Sequence, residues 1–308
     1  MPHDCAHHQT SHLSKKALIA AIAINGLLTI AQIIGGVAAN SLALLTDALH
    51  NASDALALVL ALVAIMIGER PADDKRSFGY KRAESIAALI NLTALIMIGV
   101  LLASKSVINI MSPEDVHAPI MIWVAAIALI IDTGTALLLR THASSSENMR
   151  AAFLHNVLDA LASLAVIIGG VAIFYKGWNW IDPALSLVIS LYVIIHGYHA
   201  MKNTIHLLMQ GTPKNIDREA LIATLKAHDH VRDIHHVHVW QIHEHKTALE
   251  AHVVIDDLNQ MESVKHSLKA LLKEKFVISH STLEFENQKI SPDCKVHDHD
   301  HGGHAHDH

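Results

Sequence analysis

A polytopic α-helical membrane protein with six transmembrane helices, followed by a small α+β domain of order αββαβ, is the fold class predicted here, and three observations carry it. Apolar runs of close to twenty residues or more, such as 17–40 and 85–104, contain almost no charge, which is the length needed to cross a bilayer core of about 30 Å. Near Gly211 the composition changes to that of an ordinary water-exposed domain, with charges throughout. Beyond that point apolar residues recur with helical spacing in some stretches and alternate in strand fashion in others.

The chain divides accordingly into an N-terminal tail (1–15), a six-helix domain (16–210), an α+β domain (211–289) and a histidine-rich tail (290–308). The spans are drawn at 17–39, 42–68, 85–110, 120–139, 151–175 and 183–208. The first is read as a helix that stays in the membrane: His3, His7, His8 and His12 precede Lys15 and Lys16, with no clear cleavage site. Basic residues set the orientation, because Lys and Arg accumulate on the cytoplasmic side. Lys15, Lys16, Arg70, Lys75, Arg76, Lys81, Arg82, Arg140 and Arg150 flank one side of the spans, against Lys105 and Lys176 on the other. Both termini are therefore expected in the cytoplasm.

In the last third, 216–227 has helical periodicity after Asp217, and 231–242 alternates as a strand. A second strand is expected at 247–255, an amphipathic helix at 259–275 and a third strand at 277–285, giving a sheet covered by two helices. The tail from Val296 to His308 cannot bury a core and is expected to be disordered without metal.

Several functions are excluded early. Only Cys5 and Cys294 are present, both near the ends, so there is neither a disulfide framework nor a zinc-finger spacing. The net charge of −6, with 27 histidines counted neutral, is too mild to point to a partner, and no nucleic acid is expected. The histidines say more, since imidazole is the commonest metal ligand.

A repeated phrase gives them a location. His50-Asn51-Ala52-Ser53-Asp54 lies in the second span and His155-Asn156-Val157-Leu158-Asp159 in the fifth. Residues four apart share a helix face, so each copy presents an imidazole beside a carboxylate. Each intramembrane Asp costs about 2.5 to 3.5 kcal/mol on insertion scales, which favours a functional reading over a helix-pairing one when the phrase occurs twice. His50, Asp54, His155 and Asp159 suit a tetrahedral zinc site, and two carboxylates cancel the ion's charge in a low-dielectric setting. Ligands must be deprotonated to hold metal, so protons are its natural replacement, and the pair of exchanges amounts to antiport.

The chain resembles the cation diffusion facilitator family, in its zinc-transporting branch. The resemblance rests on Ser41-Leu42-Ala43-Leu44-Leu45-Thr46-Asp47-Ala48-Leu49-His50 and on the fifth-span phrase. It rests also on Arg70-Pro71-Ala72-Asp73, Phe78-Gly79-Tyr80-Lys81-Arg82-Ala83-Glu84 and His235-His236-Val237-His238-Val239-Trp240. What it implies is a homodimeric six-helix transporter in a lipid bilayer, here a bacterial inner membrane, exporting divalent cations against protons, with a metal-binding cytoplasmic domain. His-Asp pairs on both helices resemble zinc-preferring members; Cd2+, Co2+ and Ni2+ are secondary candidates, and two imidazoles disfavour Mn2+ and Mg2+. Asp47, one turn before His50, is a candidate supporting or proton-pathway group, with helix packing as the competing role.

Two further expectations follow from the resemblance. Some members carry a loop metal site using an acid and two histidines; Arg76 and Tyr80 stand at those histidine positions after Asp73, so no loop site is expected. His235, His252 and His280 are implied as cytoplasmic zinc ligands, with Glu286 as a possible oxygen donor or a neighbour across the dimer. Strand parity alone puts His280, Glu284 and Glu286 on one face. His236, His238, His243 and His245 are read as surface residues, and His196, His199 and His206 in the sixth span as packing or interfacial. Asp132 has no evident partner, and Asn25, Gln32 and Asn91 are read as joining helices. The histidine-rich tail reads as a weak zinc collector.

An enzyme is not expected: no HExxH segment or nucleophile with its base is found, although a zinc-dependent membrane hydrolase would use a similar cluster with an open position. A channel or metal sensor is the other alternative, but four strong ligands suit a fast conduit poorly.

Overall fold

The structure is a computed structural model and describes residues 15–140, 147–244 and 246–287. The histidine-rich tail and most of the N-terminal tail lie outside the described residues. Two compact units are present, one comprising the chain up to Met66 with Ile86–Met201, the other Ile67–Ser85 with the chain from Lys202.

Six long helices occur where six spans are expected: α1 (Lys15–Ala39), α2 (Leu42–Gly68), α3 (Ala83–Met111), α4 (Ala118–Arg140), α5 (Glu147–Lys176) and α6 (Ile181–Leu208). Five of them are long and apolar enough to cross a membrane, and in α1 the apolar stretch Gly26–Ala39 is described. Their burial is that of helices solvated by lipid. Large side chains such as Ile30, Leu101 and Leu138 point outward, while small ones such as Ala39, Ala43, Ala125, Ala128 and Ser163 pack inside. A Cβ on Gly170 of α5 would lie 2.7 Å from Ile122 of α4, so that close crossing requires glycine.

Polar residues fix the helix ends. Asn40 adopts the left-handed conformation (φ 52°) that ends α1, a conformation asparagine tolerates. Asp182, at the start of α6, then accepts hydrogen bonds from the backbone N–H groups of Leu42 (2.7 Å) and Ala43 (3.2 Å) and from the Ser41 hydroxyl. A carboxylate at the unsatisfied N-terminus of α2 is favourable for both its orphan donors and its dipole.

The second unit contains α7 (Arg218–Lys226), β1 (Val231–His243), β2 (Lys246–Ile255), α8 (Met261–Phe276) and β3 (His280–Asn287), the expected αββαβ order. β1 pairs antiparallel with β2, and β2 pairs parallel with β3, the crossover being α8. Asp217 caps α7 by accepting from the N–H groups of Glu219 and Ala220. Val264, Leu268 and Leu272 recur at helical spacing on α8 and join Leu221 and Leu225 of α7 in one core with Leu249, Ala251, Val253 and Ile255 of β2. Those β2 residues take the helix-covered face, so Glu250, His252 and Val254 take the other. The third strand begins at His280 rather than at 277, because Val277 is the left-handed residue (φ 57°) that closes α8.

Between α2 and α3, Asp73 organises the loop. Its carboxylate accepts from the Tyr80 hydroxyl (2.6 Å) and from the backbone N–H groups of Arg76 and Lys75, while the Arg76 guanidinium lies 4.8 Å from the centre of the Tyr80 ring. The Tyr80 hydroxyl, followed by the backbone donors and Arg76, holds the Asp73 carboxyl below the usual carboxylate range.

Candidate metal centres

In the helical unit the two copies of the repeated phrase meet. α2 and α5 run in opposite directions, so the copies pair head to tail: Asp54 lies beside His155, and His50 beside Asp159. His155 Nε2 is 3.1 Å from Asp54 Oδ2 and 3.5 Å from Asp159 Oδ2. His50 Nε2 is 3.7 Å from both Asp54 Oδ2 and Asp159 Oδ1, and the two imidazole rings stand edge to face with centres 5.7 Å apart. His50, His155 and Asp159 each offer a donor atom within 4.8 Å of the others, and Asp54 closes on both imidazoles from the side. The sequence brings the four together because each pair is one helical turn long and the two turns face each other.

The cluster is unevenly covered. The side chains of His155 and Asp54 are 42% and 37% exposed, those of His50 and Asp159 13% and 12%. His155 and Asp54 thus form the more open edge of the cluster and His50 and Asp159 the drier one, where charge attraction is stronger.

Polar neighbours brace the cluster without joining it. Gln32 of α1 donates to Asp47 (2.6 Å) and accepts from Asn51 (3.0 Å), so Asp47 is tied to α1. Asp132 of α4, for which the sequence showed no partner, accepts from Ser163 of α5 at 3.4 Å. In α6, His199 bonds the carbonyl of Ile195, His206 that of Thr212, and His196 stacks on Tyr192.

The C-terminal unit holds a second group. His235, His252 and Glu286 each offer a donor atom within 4.8 Å of the others. His252 Nδ1 is 2.7 Å from Glu286 Oε1, and His235 Nε2, buried and without a hydrogen-bond partner among the described residues, is 3.6 Å from Glu286 Oε2. Glu284 (3.5 Å from His252) and Asp233 (3.7 Å from His235) flank them. Two imidazole nitrogens, one of them buried and unpartnered among the described residues, and a carboxylate suit a zinc-type ion.

His280 is not in this group. It pairs with Ala248 in the parallel ladder, whereas His252 pairs with Glu284, four residues on, or about 13 Å at roughly 3.3 Å per residue. Its ring instead meets Phe78 of the α2–α3 loop, with centres 6.0 Å apart. His236, read from sequence as a surface residue, does approach the group, its ring centre 4.8 Å from that of His252. The register slips between His235 and His238, with His236 at φ 51°, so both His235 and His236 reach the face of His252. Strict alternation would have sent them to opposite faces, and no residue in the segment signals the bulge.

Comparison with known proteins agrees with this architecture. Residues 18–209 match the cation efflux transmembrane domain, and residues 213–288 match the cation efflux protein cytoplasmic domain. The chain is 34% identical over 296 residues to the cadmium, cobalt and zinc/H(+)-K(+) antiporter of Bacillus subtilis (strain 168), covering 94% of each chain. It is 31% identical to the zinc transporter ZitB of Escherichia coli (strain K12), covering 98% of each. The metal-bound C-terminal domain of the CzcD transporter from Cuprividus metallidurans, a solved structure, is 33% identical over 23% of this chain and 99% of its own, with a TM-score of 0.22. The helical unit is thus a membrane domain, the α+β unit is cytoplasmic, and the chain belongs to the cation efflux, or cation diffusion facilitator, family of transporters.

Proposed function

We propose that this protein moves divalent metal, zinc by preference, out of the cytoplasm in exchange for protons, using His50, Asp54, His155 and Asp159 as the transport site. The observation that carries the reading is the head-to-tail meeting of the two His-Asp turns, which gathers two nitrogens and two carboxylates from two spans. Two carboxylates balance a divalent ion, and two imidazoles favour zinc, cadmium, cobalt or nickel over manganese or magnesium. Relatives named as a cadmium, cobalt and zinc antiporter and as a zinc transporter support the same cargo.

The exposed pair, Asp54 and His155, lies toward the ends of α2 and α5 that are flanked by Arg70 and Arg150, the cytoplasmic ends by charge. Loading therefore proceeds from that side. The same four ligands bind protons when the metal leaves, so a proton supply on the far side drives release. Alternating exposure of a midplane site to the two sides is the general way transporters accomplish this.

Around this centre we place residues 16–210 in the bacterial inner membrane and residues 211–289 in the cytoplasm, with a tail at each end and two chains forming a homodimer. His235, His252 and Glu286 would hold a regulatory zinc, and Asp47 supports α2 through Gln32. Asp54→Ala and Asp159→Ala, reconstituted in liposomes with a zinc dye on one side, test the transport site: each should abolish zinc flux while the protein stays folded. Normal flux in either variant would refute the assignment.

A further inference from the structure

His280 stands apart from the zinc group, and its surroundings have a chemistry of their own. Together with residues of the α2–α3 loop and Lys246, it lines a cavity of about 650 Å³ within the second unit. That volume is typical of a small-molecule site. The wall is cationic: Arg70, Lys81 and Lys246 line it against one acid, Glu69.

These cations are poorly matched by the protein itself. Lys81 lies 3.8 Å from Glu84, but both side chains are exposed (44% and 37%), and a pair of that kind holds its partners weakly. Among the described residues, Arg70 and Lys246 have no ion-pair partner. Lys246, the first residue of β2, is also half-buried, and an ammonium partly withdrawn from water calls for an anion. Lys226 and Lys265 of the same unit show the ordinary arrangement, with Asp233 at 2.7 Å and Glu262 at 2.6 Å.

The position of the cavity along the chain says which anion is at hand. Gly68, on its wall, is the last residue of α2, a span of 27 residues. At 1.5 Å per residue the span is about 40 Å long, against a bilayer core of about 30 Å, so its cytoplasmic end lies at the depth of the lipid headgroups. Phe78, also on the wall, is 61% exposed and turns its ring edge to face against His280; exposed aromatic rings beside basic residues are the usual anchors at that depth.

We propose that this cavity binds the phosphate group of an anionic lipid of the cytoplasmic leaflet. Arg70 and Lys246 hold the phosphate as charged donors, Lys81 adds to the positive field, and Phe78 packs beside the lipid's glycerol portion. A soluble phosphate shares the same recognition chemistry, and the place of the cavity at the end of a span selects the lipid. The proposal goes beyond the transport reading and uses no ligand of either metal group.

The test counts lipid retained by full-length purified protein in native mass spectrometry, during titration with phosphatidylglycerol or phosphatidylcholine. Wild-type protein should retain phosphatidylglycerol in preference to phosphatidylcholine. Arg70→Gln and Lys246→Gln should each weaken the preferred binding about 5-fold, and the double variant about 25-fold, the effect of one basic residue at an anionic surface taken once and twice. Lys273→Gln, at an exposed lysine of α8 outside the cavity, should change nothing. Melting temperatures of the lipid-free variants should equal that of wild type, so the loss is one of binding and not of fold. Equal retention of the two lipids, wild-type affinity in the double variant, or an equal loss in Lys273→Gln would overturn the proposal. Displacement of phosphatidylglycerol by inorganic phosphate at matched concentration would overturn the lipid as occupant in favour of a soluble phosphate. Zinc flux in Asp159→Ala is measured separately, so this site and the transport site can each fail alone.

Discussion

The two candidate metal centres of this chain are assembled by different kinds of secondary structure. The membrane cluster is built from two helical turns, each with its ligands four residues apart, so the local geometry of either half follows from the backbone alone. The cytoplasmic group is built across three strands. Its members are far apart in sequence, and their meeting depends on register, on a parallel crossover through α8 and on one bulge. Electrostatics separates them as well: two carboxylates meet two imidazoles in a lipid-surrounded bundle, while the cytoplasmic group has Glu286 at its centre and Glu284 at an exposed margin. A helix-built site stands or falls with its ligands, and a strand-built site also with the sheet beneath it.

Removing a ligand tests the first half of that contrast and carries the largest expected effect. Asp159→Ala should reduce zinc transport by more than about 100-fold, beyond the range for loss of a supporting partner, with the number of zinc ions held by the cytoplasmic domain unchanged. Next in size, His252→Ala should remove one tightly bound zinc per chain, counted by metal analysis of full-length protein, while transport persists with altered dependence on zinc concentration. His280→Ala should leave that zinc in place, because register sets His280 beside Phe78 rather than beside Glu286. Loss of the zinc in His280→Ala would break the strand-register explanation.

A smaller perturbation separates support from ligation. Leu268→Ala, at a fully buried position of α8, should destabilise the cytoplasmic domain by about 2 to 5 kcal/mol and weaken its zinc binding, leaving the melting of the helical unit unaffected. The smallest effect concerns the loop. The Asp73 carboxyl is held low, chiefly by Tyr80, so its contribution is present above the ordinary Asp range near pH 4 and is lost as pH falls through the depressed value. Tyr80→Phe should raise the Asp73 pKa toward the ordinary value in an NMR titration, without changing zinc content.

How much was legible in the sequence follows the same division. Six spans, the αββαβ order and the facing His-Asp turns could be read directly, because helix length and i, i+4 spacing are local properties. The partner of Asp132 and the tie from Gln32 to Asp47 could not, since each depends on which faces of separate helices meet. In the cytoplasmic domain, parity placed Glu284 and Glu286 on one face but gave no distance along the strand. It therefore could not show that His252 pairs with Glu284, four residues beyond His280, nor that a bulge brings His236 toward His252.

The central claim is that one cluster of four ligands carries zinc one way and protons the other. Reconstituted protein reporting zinc and pH simultaneously on opposite faces of the membrane tests it most directly. Zinc flux should be matched by an opposite proton flux, with both lost in Asp159→Ala; zinc flux with no accompanying proton movement would contradict the exchange.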